Sequence, residues 1–134
     1  MNLTISNPRF SNTEMGGFFK ESKIQYTWEF VLDNMNRKVE LQHSRLKGKR
    51  IIFLDGKEIL KSNKFTYEFS YSFTIDKHFL SLIQLSATNY DLRIDNIAFN
   101  TIIEYCRKNY DISEKTEKKS KTSNKMKEPE FWQR

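Results

Sequence analysis

An all-β fold, an antiparallel β-sandwich of seven to eight short strands, is what this sequence predicts, and three observations predict it. Apolar and aromatic residues recur at every second position in several runs, a period that suits strands and would smear around a helix. Clusters of Asp, Asn, Gly and Ser interrupt those runs at close spacing, as hairpin turns require. Aromatics make up 14% of the 134 residues, with 11 Phe. Such large side chains let a small domain bury enough surface to be stable.

Residues 1–23 read as a flexible polar arm, rich in Asn and Ser and containing Gly16-Gly17, with Phe10, Phe18 and Phe19 as its candidate anchors. Strand patterning follows. Ile24, Tyr26, Trp28, Phe30 and Leu32 alternate with Gln25, Thr27, Glu29 and Val31, and the run stops at the turn-forming Asp33–Asn36. Val39, Leu41 and His43 mark a second strand. After the basic turn Arg45–Arg50 comes Ile51–Leu54, then Asp55-Gly56, a strong signal for a hairpin turn that needs positive φ at both central residues. Lys57–Leu60 is the return strand. The cleanest alternation is Phe65, Tyr67, Phe69, Tyr71, Phe73 and Ile75, which we expect on one buried face.

Asp76-Lys77 turns the chain into Phe79–Ser86, and Ala87–Asn89 turns it again. Tyr90, Leu92 and Ile94 form the next strand, and Asp95-Asn96 leads into Ile97–Phe99. Ile102, Ile103, Cys106 and Tyr110 share a face, so a short helix is predicted over Asn100–Tyr110. From Asp111 the chain is a flexible tail of Lys, Glu, Ser and Thr that ends in Phe131-Trp132. The organisation is thus an arm (1–23), a β-sandwich domain (24–110) and a charged tail (111–134).

The net charge of +6 comes from 23 basic and 17 acidic residues, mostly a mixed-sign surface. One cysteine, Cys106, forms no disulfide framework and suits a reducing compartment. The first residues lack the apolar core of a signal peptide, and no run approaches the roughly 20 apolar residues of a membrane span. We therefore expect a soluble, cytoplasmic chain.

Catalytic sets are hard to assemble from these residues. His43, His78 and Cys106 stand at no metal-ligand spacing. His43 shares a face with Val39 and Leu41 and reads as a packed strand histidine. Asp91, Arg93 and Asp95 alternate outward as a solvated face with local ion pairs. No Gly-rich phosphate loop follows a strand. No enzyme, cofactor, metal or small-molecule substrate is expected. The densest basic patch is Arg45, Lys47, Lys49 and Arg50, either an anion-binding hairpin or a solvated turn whose charges protect a strand edge; the second is favoured. Phe131 and Trp132 have the form of a short linear motif, since such side chains fill partner pockets.

Tyr26–Val31 (YTWEFV), Lys38–His43 (KVELQH), Gly48–Ile59 (GKRIIFLDGKEI) and Tyr90–Phe99 (YDLRIDNIAF) resemble, in order and spacing, the N-terminal domain of the Fas apoptotic inhibitory molecule family. The resemblance covers about residues 26–105. It implies an eight-stranded antiparallel β-sandwich and a non-enzymatic regulator of cell death and survival signalling that acts through protein contacts. The family's second β domain has no counterpart in this sequence, and Asp95-Asn96 stands where the family has Asn-Gly.

Three functions follow in order. The first is a protein–protein interaction module, a small structural component held by its arms through Phe131, Trp132, Phe18 and Phe19 in a large assembly of cytoskeletal or ciliary kind. The second is a cytosolic apoptosis or survival-signalling regulator similar to the named family. The third is nucleic-acid binding through the basic 45–50 hairpin, with nucleic acid the disfavoured partner class.

Overall fold

The computed structural model describes residues 4–17, 22–64 and 68–109. Two antiparallel sheets face each other across one apolar core, a sandwich-like all-β arrangement closed by a short helix. The first sheet runs in the order β1 (Ile5–Glu14), β2 (Lys23–Leu32), β3 (Met35–Ser44), β4 (Lys49–Leu54) and β5 (Lys57–Ser62). The second runs β6 (Ser70–Ile75), β7 (His78–Gln84), β8 (Tyr90–Ile94) and β9 (Ile97–Ala98). Helix α1 follows at 99–109.

Alternation explains which residues are inside. Ile24, Tyr26, Trp28, Phe30 and Leu32 are all buried, and the register opposes Trp28 to Val39 and Tyr26 to Leu41. From the second sheet, Leu80, Leu82, Leu92 and Ile94 meet them, and Phe99 and Ile102 of α1 cover the remaining side. Each such aliphatic or aromatic side chain contributes about 1.5–3 kcal/mol through burial. Ring contacts lock the aromatic layer, with Tyr26 to Tyr90 at 4.9 Å and Phe30 to Phe99 at 6.0 Å between centroids.

Four hairpin turns lie at one end of the sandwich, and each begins with Asp at positive φ: Asp33, Asp55, Asp76 and Asp95. In three of them the second turn residue, Asn34, Gly56 or Asn96, is also at positive φ, so both positions demand Asn, Asp or Gly. The predicted Asp55-Gly56 and Asp95-Asn96 turns are of this kind. The turn after β2 is only two residues long, so Met35 and Asn36 belong to β3.

The structure corrects four expectations. Nine strands form among the described residues, where seven to eight were expected. Residues 5–14, read as part of a loop-forming arm, make a ten-residue edge strand. Their polar side chains suit a position paired on one side and open on the other, which sequence alternation alone does not reveal. Lys49 and Arg50, read as part of a basic turn, begin β4, and the turn itself is 45–48. The run from Phe65 to Ile75 is not one fully buried face: β6 starts at Ser70 and is an edge strand, so Phe69, Tyr71 and Phe73 are only partly buried, and of the described residues of this run Ile75 alone is fully covered. Residues 65–67 lie outside the described set.

Candidate interaction surface

Strand direction divides the functional side chains between the two ends of the sandwich. At the end opposite the Asp turns, the β3–β4 turn presents Arg45 and Lys47 to solvent, with Lys49 half-buried at the start of β4. Arg50 does not join them. Opposed to His43 in the β3–β4 register and sharing a face with Ile52, it points into the core and is 1% exposed. The expectation of four clustered surface cations is corrected to three, because strand parity turns every second residue inward.

Arg50 organises a buried polar network. Its Nε donates to Tyr90 Oη at 2.8 Å, one terminal nitrogen donates to Gln84 Oε1 at 2.8 Å, and the other to the Lys64 carbonyl at 3.0 Å. The guanidinium also sits 4.8 Å from the Phe69 ring centroid. Tyr90 Oη lies 2.9 Å from His43 Nδ1. Burial, then the charges of Arg50 and Arg45, hold the His43 imidazole down to about 4, so it is neutral at physiological pH. Nearby, Tyr26 donates its hydroxyl proton to the Thr88 carbonyl at 2.6 Å; burial, with Tyr90 adding and Arg45 opposing, pushes that hydroxyl up to about 12.

At the Asp-turn end, His78 lies between two carboxylates from opposite sheets. Its Nδ1 is 2.6 Å from Asp95 Oδ2 and its Nε2 is 2.8 Å from Asp33 Oδ2. The hydrogen bond to Asp95, then that to Asp33, raises the imidazole against the downward pull of its partial burial. Asp33 is lowered by hydrogen bonds from Thr4 and His78. Asp95 is lowered too: burial pulls it upward, and His78 and the Phe79 N–H outweigh that pull. Arg37 adds a second tie between the sheets, 2.7 Å from Asp55 and 3.6 Å from Asp76.

The third feature is the open side of β1. Phe10 is 40% exposed and packs at 5.2 Å on the buried Trp28. Below it, between the two sheets, runs a groove of about 360 Å³ lined by Phe10, Trp28, Tyr26, Leu85, Asn89 and Phe99 among others. Sequence reading missed this groove, because Leu85 and Asn89 come from the distant β7–β8 connection. The one signal for it was Phe10 among β-compatible Ser and Thr. A separate open concavity of about 770 Å³ covers the β1–β3 surface near Asn7 and Arg9, where Arg9 pairs with Glu29 and Arg37 with Asp55.

Phe18, Phe19, Phe131 and Trp132 lie outside the described residues. Among the described residues no group of three or more His, Cys, Asp and Glu could hold a metal ion, and no helix is long and apolar enough to cross a membrane. Cys106 sits half-buried on α1, its thiol raised by burial. Residues 24–128 match the sequence pattern of a family described as Fas apoptotic inhibitory molecule (FAIM1). Comparison with curated proteins and with solved structures finds no match to this chain.

Proposed function

Because the chain belongs to the Fas apoptotic inhibitory molecule family, matched over residues 24–128, we propose that it is a non-enzymatic protein-binding module of the signalling-regulator kind. One observation carries the reading: a ten-residue edge strand, with no strand on its outer side among the described residues, stands over an aromatic groove with two large exposed apolar side chains at its rim, Phe10 and Leu85. The groups with acid–base or nucleophilic capacity have structural work instead. His43 is held neutral against Tyr90, His78 bridges two turns, and the Cys106 thiol is packed against the core. The matched family favours a regulator of cell death and survival over a fixed component of a cytoskeletal or ciliary assembly. The assembly form draws its support from the Phe131-Trp132 motif of residues 111–134.

The test is chemical crosslinking of the tagged chain in intact cells, followed by size exclusion and mass spectrometry. A defined protein crosslinked through Phe10, Leu85 or neighbouring positions supports the reading. A chain that elutes at its monomer mass with no protein attached overturns it. Elution in a very large particle moves the conclusion to the assembly form.

A further inference from the structure

We propose that β1 is a strand-addition edge for an extended partner segment that carries an apolar side chain and, on the same face, a cationic one. This rests on the reading of the chain as a protein-binding module and names the surface and the partner chemistry for it.

The ladder identifies the open groups. Met15 N–H donates to the Lys23 carbonyl at 2.7 Å, and the same register opposes Thr13 to Gln25 and Ser11 to Thr27. In an antiparallel pair the hydrogen-bonded residues alternate with non-bonded ones. Residues 11, 13 and 15 therefore bond toward β2, and the backbone N–H and C=O of Phe10, Asn12 and Glu14 point away from it. The β2–β3 ladder agrees, since Arg45 N–H reaches the Ser22 carbonyl and so turns Ile24, Tyr26 and Trp28 toward β3. Among the described residues no strand pairs with the outer side of β1; the Cys106 thiol meets it at the Ile5 carbonyl, 3.7 Å away and before the register shift, clear of residues 10–14.

The edge is bounded and unguarded. At its start the register shifts between Ser6 and Arg9, Asn7 takes φ of 50°, and Pro8 has no N–H to offer. The other edge of this sheet, β5, bears Lys57, Glu58 and Lys61 and a register shift, the usual devices against edge pairing. Residues 10–14 of β1 carry one charge, Glu14. A strand added there continues the pleat, so its inward side chains lie beside Phe10 and enter the groove toward Leu85.

Charge specifies the rest. The sequence has 23 Lys and Arg, yet among the described residues none lines the groove; Asp91 at its margin alternates away from Tyr90 and Leu92 and pairs with Arg93 at 3.4 Å, which leaves Glu14 as the anion on this side. Glu14 shares the inward face of β1 with Phe10, opposite Ile24. A phenyl or alkyl side chain fits the groove, and a lysine or arginine along the same face of the added strand meets Glu14.

The experiment uses the full chain, labelled with ¹⁵N. It is titrated with a capped heptapeptide that has phenylalanine at its centre, arginine two positions on, and serine or threonine elsewhere. Expected are amide shifts at Phe10, Asn12 and Glu14. N-methylation of the peptide's alternate backbone nitrogens should weaken binding about tenfold. Replacing the peptide's phenylalanine by alanine should weaken it at least about tenfold. In the chain, Asn12→Pro removes an outward N–H without touching a β1–β2 bond and should weaken binding similarly; the methylated peptide makes the same test with the chain unaltered.

No shift at about 1 mM peptide, the range of a weak contact, overturns the proposal. So does binding indifferent to N-methylation, or shifts confined to Arg45–Lys49. Concentration-dependent shifts at residues 10–14 without peptide make a second copy the occupant and overturn it. Binding that appears only after residues 110–134 are removed makes the chain's own tail the occupant and overturns it equally. If the crosslinked partner is still found while the peptide fails, the module reading stands and another surface carries it.

Discussion

The two ends of the sandwich solve the same problem, joining two sheets through polar groups, in opposite electrostatic ways. At the Arg50 end the polar groups are inside: a buried guanidinium is satisfied by neutral oxygens and a ring face, and its charge helps burial keep His43 unprotonated. At the Asp-turn end they are half in water, and two carboxylates draw a proton onto His78. One histidine is therefore lowered and the other raised, in a chain that has only these two. Burial and the sign of the nearest charge, rather than residue type, set what a histidine contributes.

Breaking the buried end should have the largest effect. Arg50→Ala leaves Gln84, Tyr90 and the Lys64 carbonyl short of a donor and opens a cavity, so we expect a loss of about 3–4 kcal/mol in urea-unfolding free energy. A loss below about 1 kcal/mol would mean that water replaces the guanidinium and the network is not a structural unit.

The pH dependence sharpens the contrast. His43 has a folded value of about 4, below its ordinary 6.5. Its contribution is therefore present above 6.5 and is lost as pH falls toward 4, by about 2–3 kcal/mol. Replacing it with Gln should flatten that acid limb. His78 has a raised value, so its contribution is present below 6.5 and is lost as pH rises through the folded value. Its partners Asp33 and Asp95 are lowered, so their contribution is complete above the ordinary carboxylate value of 3.8 and fades only in stronger acid. The clamp is thus fullest between the ordinary carboxylate and imidazole values. His78→Gln should remove the alkaline limb, an effect of about 0.5–1 kcal/mol that added salt reduces, because these groups are close to solvent. Thermal melts across the acid and alkaline ranges separate the two limbs. Identical profiles for both variants would break the comparison.

The smallest effect belongs to the surface cations. Charge reversal at Lys47 and Lys49 should change stability by less than about 0.5 kcal/mol, since neither position is in the core. A loss above about 1 kcal/mol, read by the same urea titration, would show that the basic turn is part of the buried network rather than its solvent-facing rim.

Much of the fold was legible because local chemistry and tertiary structure agree. The alternation from Ile24 to Leu32 marks a strand covered on one face, and Asp55-Gly56 and Asp95-Asn96 mark turns that few other pairs can make. The four segments that resemble the family include both turns and the core of β2, so they carry the fold with them. The candidate surface was far less legible. Arg50 and Lys49 are neighbours of like charge in sequence, and only the register against His43 sends one into the core and the other toward solvent. The apolar run Ile51–Leu54 gives no preferred parity, so alternation could not decide it.

What the sequence by itself determined is the set of local conformations: which stretches extend, where they reverse, and which faces of β2, β3 and β8 are apolar. These depend on residues one or two positions apart. Only the tertiary structure decided the pairing of Asp33 with His78 across 45 residues, the burial of Arg50 against Tyr90 across 40, and the place of residues 5–14 as an edge strand among the described residues. Those outcomes depend on sheet order and on how the two sheets overlap, and no short-range pattern encodes where a strand has neighbours on both sides or on one.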